Sequence, residues 1–230
     1  MRLDRFLNNK TQLGQKKVRK LIASQSVKAN GEIVIDGNYL INQFTKIELN
    51  NKLLQSQTAH YLMLNKPKGY VSATIDSKHK TVLDLILESY KTQLHLGGRL
   101  DFNTTGLLLL TNDGRWSRKI TEPTEKKPKT YRVTTQDVIT KDYVDQFNHG
   151  IFLEREQLTT QAAQLEIINT RQARLTIYEG RYHQVKRMFG FFDNKVTDLH
   201  RESMGSILLD SSLSPGAYRQ LTQREIDSIN

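Results

Sequence analysis

Residues 107–110 are four consecutive leucines, set directly behind the polar segment Gly98-Arg99-Leu100-Asp101-Phe102-Asn103-Thr104-Thr105-Gly106. A short, uninterrupted apolar run bounded by turn residues reads as a buried strand, and the chain must build a core around it. The polar segment in front then becomes a loop bounded by two glycines and anchored by that strand. Loops held by rigid elements are where catalytic groups tend to sit. If residues 99–101 are extended, Arg99 and Asp101 project to the same side. Residue type alone leaves Asp101 open between a nucleophile, a base or a metal ligand and a plain turn cap or surface ion pair. An aspartate that stays ionised inside a pocket needs a cation close by.

Charge narrows the partners. The 230 residues carry 34 lysines and arginines against 24 acids, a net charge of +10, and the pI is near 9.7. A balance this basic points to a polyanion, with nucleic acid or ribosome first. The chain has no cysteine, which excludes disulfides, thiolate nucleophiles and sulfur-ligated zinc. Its six histidines show no metal-binding spacing. No signal peptide is visible at the start, and no apolar run approaches the ~20 residues that span a bilayer. The expectation is a soluble, cytoplasmic protein.

Two units are expected, residues 1–57 and 58–230. The first is small and basic. Leu3, Phe6 and Leu7, then Val18, Leu21 and Ile22, have helical spacing. Asn30-Gly31 between short β-type runs marks a hairpin. Lys16, Lys17, Arg19 and Lys20 crowd the second helix with no acid among them, which favours RNA contact over a merely solvated face. Residues 51–60 read as a linker. In the second unit, strands are expected at 61–64, 107–111, 129–135, 162–168, 174–178, 195–200 and 207–209. Helices are expected at 81–90, 114–121, 140–147 and 181–192, and Thr222 with Glu225 forms a capping-box pattern that opens a last short helix. The whole reads as an α+β chain, with a mixed sheet in the larger unit.

Two more clusters carry possible chemistry. In Glu179-Gly180-Arg181-Tyr182-His183-Gln184-Val185-Lys186-Arg187-Met188, a strand end meets a helix start with cations nearby, a combination that suits phosphate. Arg115, Arg118, Lys119, Lys126, Lys127, Lys129 and Arg132 surround Tyr131, the composition of a base-stacking platform. Tyrosine in such a strand is also commonly a core residue.

Four stretches then form a set: Leu64-Asn65-Lys66-Pro67-x-Gly69-Tyr70, the segment 98–106, Lys129-Thr130-Tyr131, and the segment 179–188. In order and spacing the chain resembles, nearly end to end, the bacterial ribosomal RNA pseudouridine synthases, in the branch whose type enzyme modifies one uridine of 16S rRNA, uridine 516. The resemblance implies a mainly antiparallel catalytic sheet flanked by helices. It also implies Asp101 as the catalytic aspartate, Tyr131 stacked on the target base and assisting proton movement, and Lys186 paired with Asp101 to keep it ionised. Lysine at this position and the Arg-Tyr-His-Gln wording before it are typical of the 16S branch. Arg99 would contact RNA near the site, with Lys66, Lys129, Arg181 and Arg187 as further RNA contacts. Leu175 would pack beneath the pocket. The isomerisation involves no redox step or energy input, so no cofactor and no metal are expected.

The first unit resembles an S4-type RNA-binding domain through Arg2-Leu3-Asp4-x-Phe6-Leu7 and Val27-x-x-Asn30-Gly31. It departs from that pattern at Gly14-Gln15, where Ser-Arg is usual; Lys16, Lys17 and Arg19 stand beside the gap and are the expected contacts. The expected partner is 16S rRNA, free or within a partly assembled small subunit, bound by a monomer without a membrane. The alternatives are a related synthase acting on 23S rRNA or tRNA, and a catalytically inactive assembly factor.

Overall fold

The structure is a computed structural model and describes residues 1–122, 127–154 and 156–229. The chain divides into residues 1–59 and 60–230. In the first unit, helix α1 (Leu3–Thr11) and helix α2 (Gln15–Ala23) precede strands β1 (Val27–Ala29), β2 (Glu32–Ile33), β3 (Ile47–Leu49) and β4 (Lys52–Gln55), in sheet order β2-β1-β3-β4. Leu3, Phe6 and Leu7 lie on one face of α1 and pack with Val18, Ile22, Val27 and Ile47. Asn30 (φ 51°) and Gly31 (φ 90°) make the β1–β2 turn, with both positions left-handed as a type I′ hairpin demands.

The linker expected at 51–60 is corrected in its first half. Residues 52–55 are strand β4, paired antiparallel with β3. The turn between them is Asn50-Asn51, at φ 50° and 63°. Asparagine tolerates the left-handed region, so this pair did for the second hairpin what Asn-Gly did for the first.

The second unit is built on one large sheet. Its strands are β5 (Tyr61–Lys66), β6 (His95–Leu96), β7 (Thr105–Thr111), β8 (Lys129–Thr135), β11 (Gln164–Asn169), β12 (Gln172–Ile177), β13 (Val196–Met204), β14 (Ile207–Leu208) and β15 (Tyr218–Gln220); β9 (Phe152–Leu153) and β10 (Leu158–Thr159) form a separate hairpin. The order is β11-β12-β8-β13-β7-β5-β15, with β14 beside β13 and β6 beside β7. Only the β13–β7 pairing is parallel among those described.

The leucine run explains the layering. All four leucines of β7 are wholly buried. Leu108 and Leu110 join the core that holds Leu175, Phe147 and Phe189. Leu107 and Leu109 join a second core with Met63, Trp116 and Ile120. Successive side chains of a strand face opposite ways, so an unbroken apolar run means a strand covered on both faces. Helix α3 (Gly114–Thr121) covers the second face, started by the Asp113 carboxylate, which accepts from the N–H groups of Arg115 and Trp116. Helix α4 (Lys141–His149) brings Phe147 to the first core. The capping box at Thr222 and Glu225 is formed and opens helix α6 (Gln223–Asp227).

Two helical expectations are corrected. Residues 81–90 are two short 3₁₀ segments, Val82–Leu85 and Ser89–Gln93. The Thr81/Asp84 capping box starts a turn, but Ile86 is extended, at φ −91° and ψ 124°. Leu87 N–H donates to the Tyr218 hydroxyl instead of to an intrahelical carbonyl. Tertiary partners thus override an apolar spacing that suited a helix. Residues 181–192 hold only helix α5 (Gln184–Gly190), for reasons that belong to the site.

Candidate active site

The loop 98–106 is fastened from beneath by buried groups. Lys66, at the end of β5, is wholly buried. Its Nζ lies within hydrogen-bond reach of the main-chain carbonyls of Pro67 (3.0 Å), Asp101 (3.1 Å), Phe102 (3.3 Å) and Thr104 (2.9 Å). Burial pushes the Lys66 ammonium down to about 8; the charge of Asp101 opposes that shift and the charge of Arg201 adds to it. The expectation that Lys66 contacts RNA is therefore corrected. The Lys66 ammonium is committed to main-chain carbonyls, three of them in the loop, and the residue is wholly buried.

Other fasteners complete the loop. The Ser72 hydroxyl donates to Leu100 O (2.7 Å) and accepts from Leu100 N–H (3.0 Å). Gly69 N–H donates to Phe102 O, and Thr104 N–H donates to Asp101 O. Arg201 of β13, 2% exposed, donates from Nε to Leu107 O (2.8 Å) and from Nη1 to Arg99 O (3.4 Å). Gly106 (φ 101°) must be glycine twice over: its φ lies in the left-handed half, and a Cβ there would stand 2.3 Å from Arg201 O.

Register ties these residues together. Leu175, Tyr131, Arg201, Gly106 and Lys66 are successive cross-strand partners on β12, β8, β13, β7 and β5. Directly opposite residues share a face of a sheet, so one row carries the expected stacking tyrosine, its support and both buried cations. Leu175 is wholly buried and Tyr131 is 8% exposed.

The fourth motif delivers the partner of Asp101. The Glu179 carboxylate is buried; it accepts from Arg181 Nε (2.9 Å), Gln184 Nε2 (2.9 Å) and Gln161 N–H (3.0 Å). Gln184 Oε1 accepts from Arg181 N–H (3.0 Å), and His183 takes φ 51°. This knot holds residues 181–183 as a loop, and α5 begins at Gln184. Arg181 therefore precedes the helix rather than opening it. Within the first turn of α5, Lys186 Nζ donates to Asp101 Oδ2 at 3.0 Å. His183 Nε2 stands 3.5 Å from the other oxygen, Oδ1, and its ring stacks on Tyr182 with centroids 3.9 Å apart.

Asp101, Tyr131 and Lys186 thus line one cleft of about 600 Å³, together with Arg99, Lys129 and Arg181. That volume suits a small organic ligand or a single nucleotide. Lys129 is held by its own hydrogen bond to Lys127 O (2.9 Å), and burial, reinforced by Arg201, lowers its pKa. Arg187 is not among the lining residues; it pairs with Glu156 at 2.5 Å. Lys16 and Lys17 border a separate concavity in the first unit, and they and Arg19 are exposed. Lys126 lies outside the described residues.

Sequence reading missed Arg201, Ser72 and the bond-making of Glu179. Arg201 fell just past the strand expected at 195–200, whereas β13 continues to Met204. Leu199, Arg201 and Ser203 alternate as buried residues along β13, but an arginine and a serine on the inward face carry no apolar pattern that sequence could show.

The cleft lies at the start of β7, an interior strand of the sheet, and joins one aspartate held by a cation, a buried tyrosine and a basic rim, an arrangement with room and charge for a nucleotide. Residues 60–190 match the family described as RNA pseudouridylate synthase. The chain is 53% identical over its full length, and that of the relative, to ribosomal small subunit pseudouridine synthase A of Pseudomonas aeruginosa. It is 45% identical to the protein of the same name from Escherichia coli strain K12, again over the whole of both chains. A crystal structure of a pseudouridylate synthase superposes over 100% of both chains with a TM-score of 0.73 and 42% identity. The chain belongs to the RNA pseudouridylate synthases, isomerases that act on RNA.

Proposed function

We propose that this chain converts one uridine of 16S rRNA, uridine 516, to pseudouridine, with Asp101 as its catalytic aspartate. The observation that carries the reading is the division of labour between the two carboxylates lining the cleft. Glu179 is occupied by Arg181, Gln184 and Gln161. Asp101 has its loop backbone fixed on all sides and its carboxylate held by Lys186, which leaves it as the group that meets substrate. The names of the full-length relatives support the small-subunit target.

In this reading the target nucleotide leaves its stack, at a cost of a few kcal/mol. Tyr131 stacks on the extruded base and returns part of that cost. The C1′–N1 bond breaks, the base turns, and a C1′–C5 bond forms; C5 loses a proton and N1 gains one, so the atoms balance without redox chemistry. Asp101 is the group that assists at the sugar or at the base, and the ammonium of Lys186 fixes its orientation by a charge-assisted hydrogen bond. Arg99 and Arg181 contact the flanking backbone. Residues 1–59 act as an S4-like RNA-binding domain through Lys16, Lys17 and Arg19. The substrate is 16S rRNA within an assembling small subunit in the cytoplasm, and the enzyme works as a monomer.

The test is a carbodiimide and primer-extension map of rRNA from cells with and without this protein. A single stop that vanishes from 16S rRNA is expected. A stop lost from 23S rRNA or tRNA would reassign the substrate, and an unchanged map would favour an assembly factor. Asp101→Asn is expected to abolish turnover on a 16S fragment while its Kd for that fragment stays within about threefold. Turnover by that variant removes Asp101 from the chemistry.

A further inference from the structure

Arg201 and Thr104 are 2% and 1% exposed, and both line the cleft with Asp101 and Tyr131. Arg201 Nη2 and Thr104 Oγ1 have no hydrogen-bond partner among the described residues. The rest of each residue is well satisfied. Arg201 Nε and Nη1 serve Leu107 O and Arg99 O. Thr104 N–H serves Asp101 O, and Thr104 O accepts from Lys66. The only other such buried atoms described belong to Arg187, outside the cleft lining. Natural proteins pair nearly all their buried polar atoms, because an unpaired one costs stability. Two orphans in residues that line one cleft, one from the loop of Asp101 and one from β13, call for a partner that arrives with the substrate.

The chemistry of the two atoms selects that partner. A guanidinium N–H only donates, whereas a hydroxyl donates or accepts. Together, a donor and a hydroxyl suit a carbonyl oxygen next to an imide N–H. Uracil presents that edge as O4, N3–H and O2; cytosine presents an amino donor and a bare ring nitrogen at the corresponding places. Resting on the function proposed above, we infer that Arg201 Nη2 and Thr104 Oγ1 read the imide edge of the extruded base, admit uracil and reject cytosine.

The reaction itself favours that edge as the handle. Bringing C5 to the place of N1 is a half-turn about the axis through N3 and C6. That turn exchanges O4 with O2 and leaves N3–H on the axis. The edge therefore offers the same acceptor–donor–acceptor pattern before and after the base turns. A donor and a hydroxyl placed there can hold the base through the step that rearranges its other side.

The discriminating variant is Thr104→Val, which keeps the shape of the side chain and deletes the unpaired oxygen. Removing an orphaned buried hydroxyl is expected to leave Tm unchanged or raised. At the same time kcat/KM for pseudouridine formation on a 16S fragment is expected to fall about tenfold or more. Fragments carrying uridine or cytidine at the target position are then compared for binding in the Asp101→Asn background. The preference for uridine is expected to be about tenfold there and to collapse toward unity on adding Thr104→Val or Arg201→Lys. An unchanged kcat/KM for Thr104→Val overturns the inference. So does a lowered Tm that accounts for the lost activity, or an unchanged uridine preference. If the unsubstituted protein forms no pseudouridine on the same fragment, the proposed function fails instead, and the two failures are told apart by that control.

Discussion

Two groups of cations in this chain have the same charge and opposite surroundings. Lys16, Lys17, Arg19 and Lys20 stand exposed on α2, a helix whose other face carries the buried Val18 and Ile22. Lys66 and Arg201 lie wholly or almost wholly buried beneath the loop of Asp101. The first group keeps its hydration and is available to phosphate. The second has given up water for main-chain carbonyls at both ends of one loop. Burying a cation is costly unless its donors are satisfied, and a loop carbonyl satisfies a donor only while the loop keeps its shape. The buried pair therefore converts desolvation into rigidity at Asp101, whereas the exposed group contributes almost nothing to folding. Positive charge is not one property in this protein. What decides its role is whether the strand register carries it under the sheet's central row or a helix turns it outward.

The strongest test of that contrast is Lys66→Met. It keeps the bulk of the side chain and strips a donor from four carbonyls, so it is expected to lower unfolding stability by about 3 kcal/mol. It is also expected to cut kcat by about a hundredfold, because misplacing a reacting group by an ångström costs on that order. RNA affinity is expected to hold. A variant with weakened RNA binding and normal kcat would return Lys66 to the RNA contacts and erase the distinction. The exposed group predicts the converse. Replacing Lys16, Lys17 and Arg19 together with alanine is expected to weaken binding of a 16S fragment. The slope of log K against log salt should drop by about 2, at roughly 0.7 for each lost contact with single-stranded RNA. Tm and kcat at saturating RNA are expected to stay put. An unaltered slope in filter-binding titrations would show that these cations are only a solvated face.

The difference between the two groups also marks where sequence was legible. Adjacent-residue information was sufficient for the leucine run, for Asn30-Gly31 and for the N-terminus of α3. These features depend on local backbone preference or on an apolar pattern. The ion pair of Asp101 with Lys186 joins residues 85 apart in sequence and was foreseen from family resemblance, not from spacing. What stayed hidden depends on register. Lys66 and Arg201 look like surface cations until β5, β7 and β13 are aligned, and only then do both fall on the row of Tyr131. The non-helical course of residues 81–90 was hidden for the same reason, since a hydroxyl from β15 decides it.

The smallest expected effect tests the state of the buried pair. In the folded chain Lys66 titrates at about 8, lowered chiefly by burial, whereas in the unfolded chain it keeps the ordinary lysine value of about 10.4. Between those values the unfolded chain binds more protons than the folded one, and stability from this group rises with pH. The full slope is about 1.4 kcal/mol per pH unit, and the carbonyl cage around Nζ is expected to reduce it to less than about 1. Urea unfolding of the wild type and of Lys66→Met at pH 7.5 and pH 9.5 isolates the term, since every other titrating group is common to both. The stability gap between them is expected to widen at the higher pH. A constant gap would mean that Lys66 keeps its proton throughout, its charge fully held by the four carbonyls and Asp101. A narrowing gap would mean that the ammonium is stabilised by its cage more than burial disfavours it, and the loop would then owe its rigidity to a charge the interior favours.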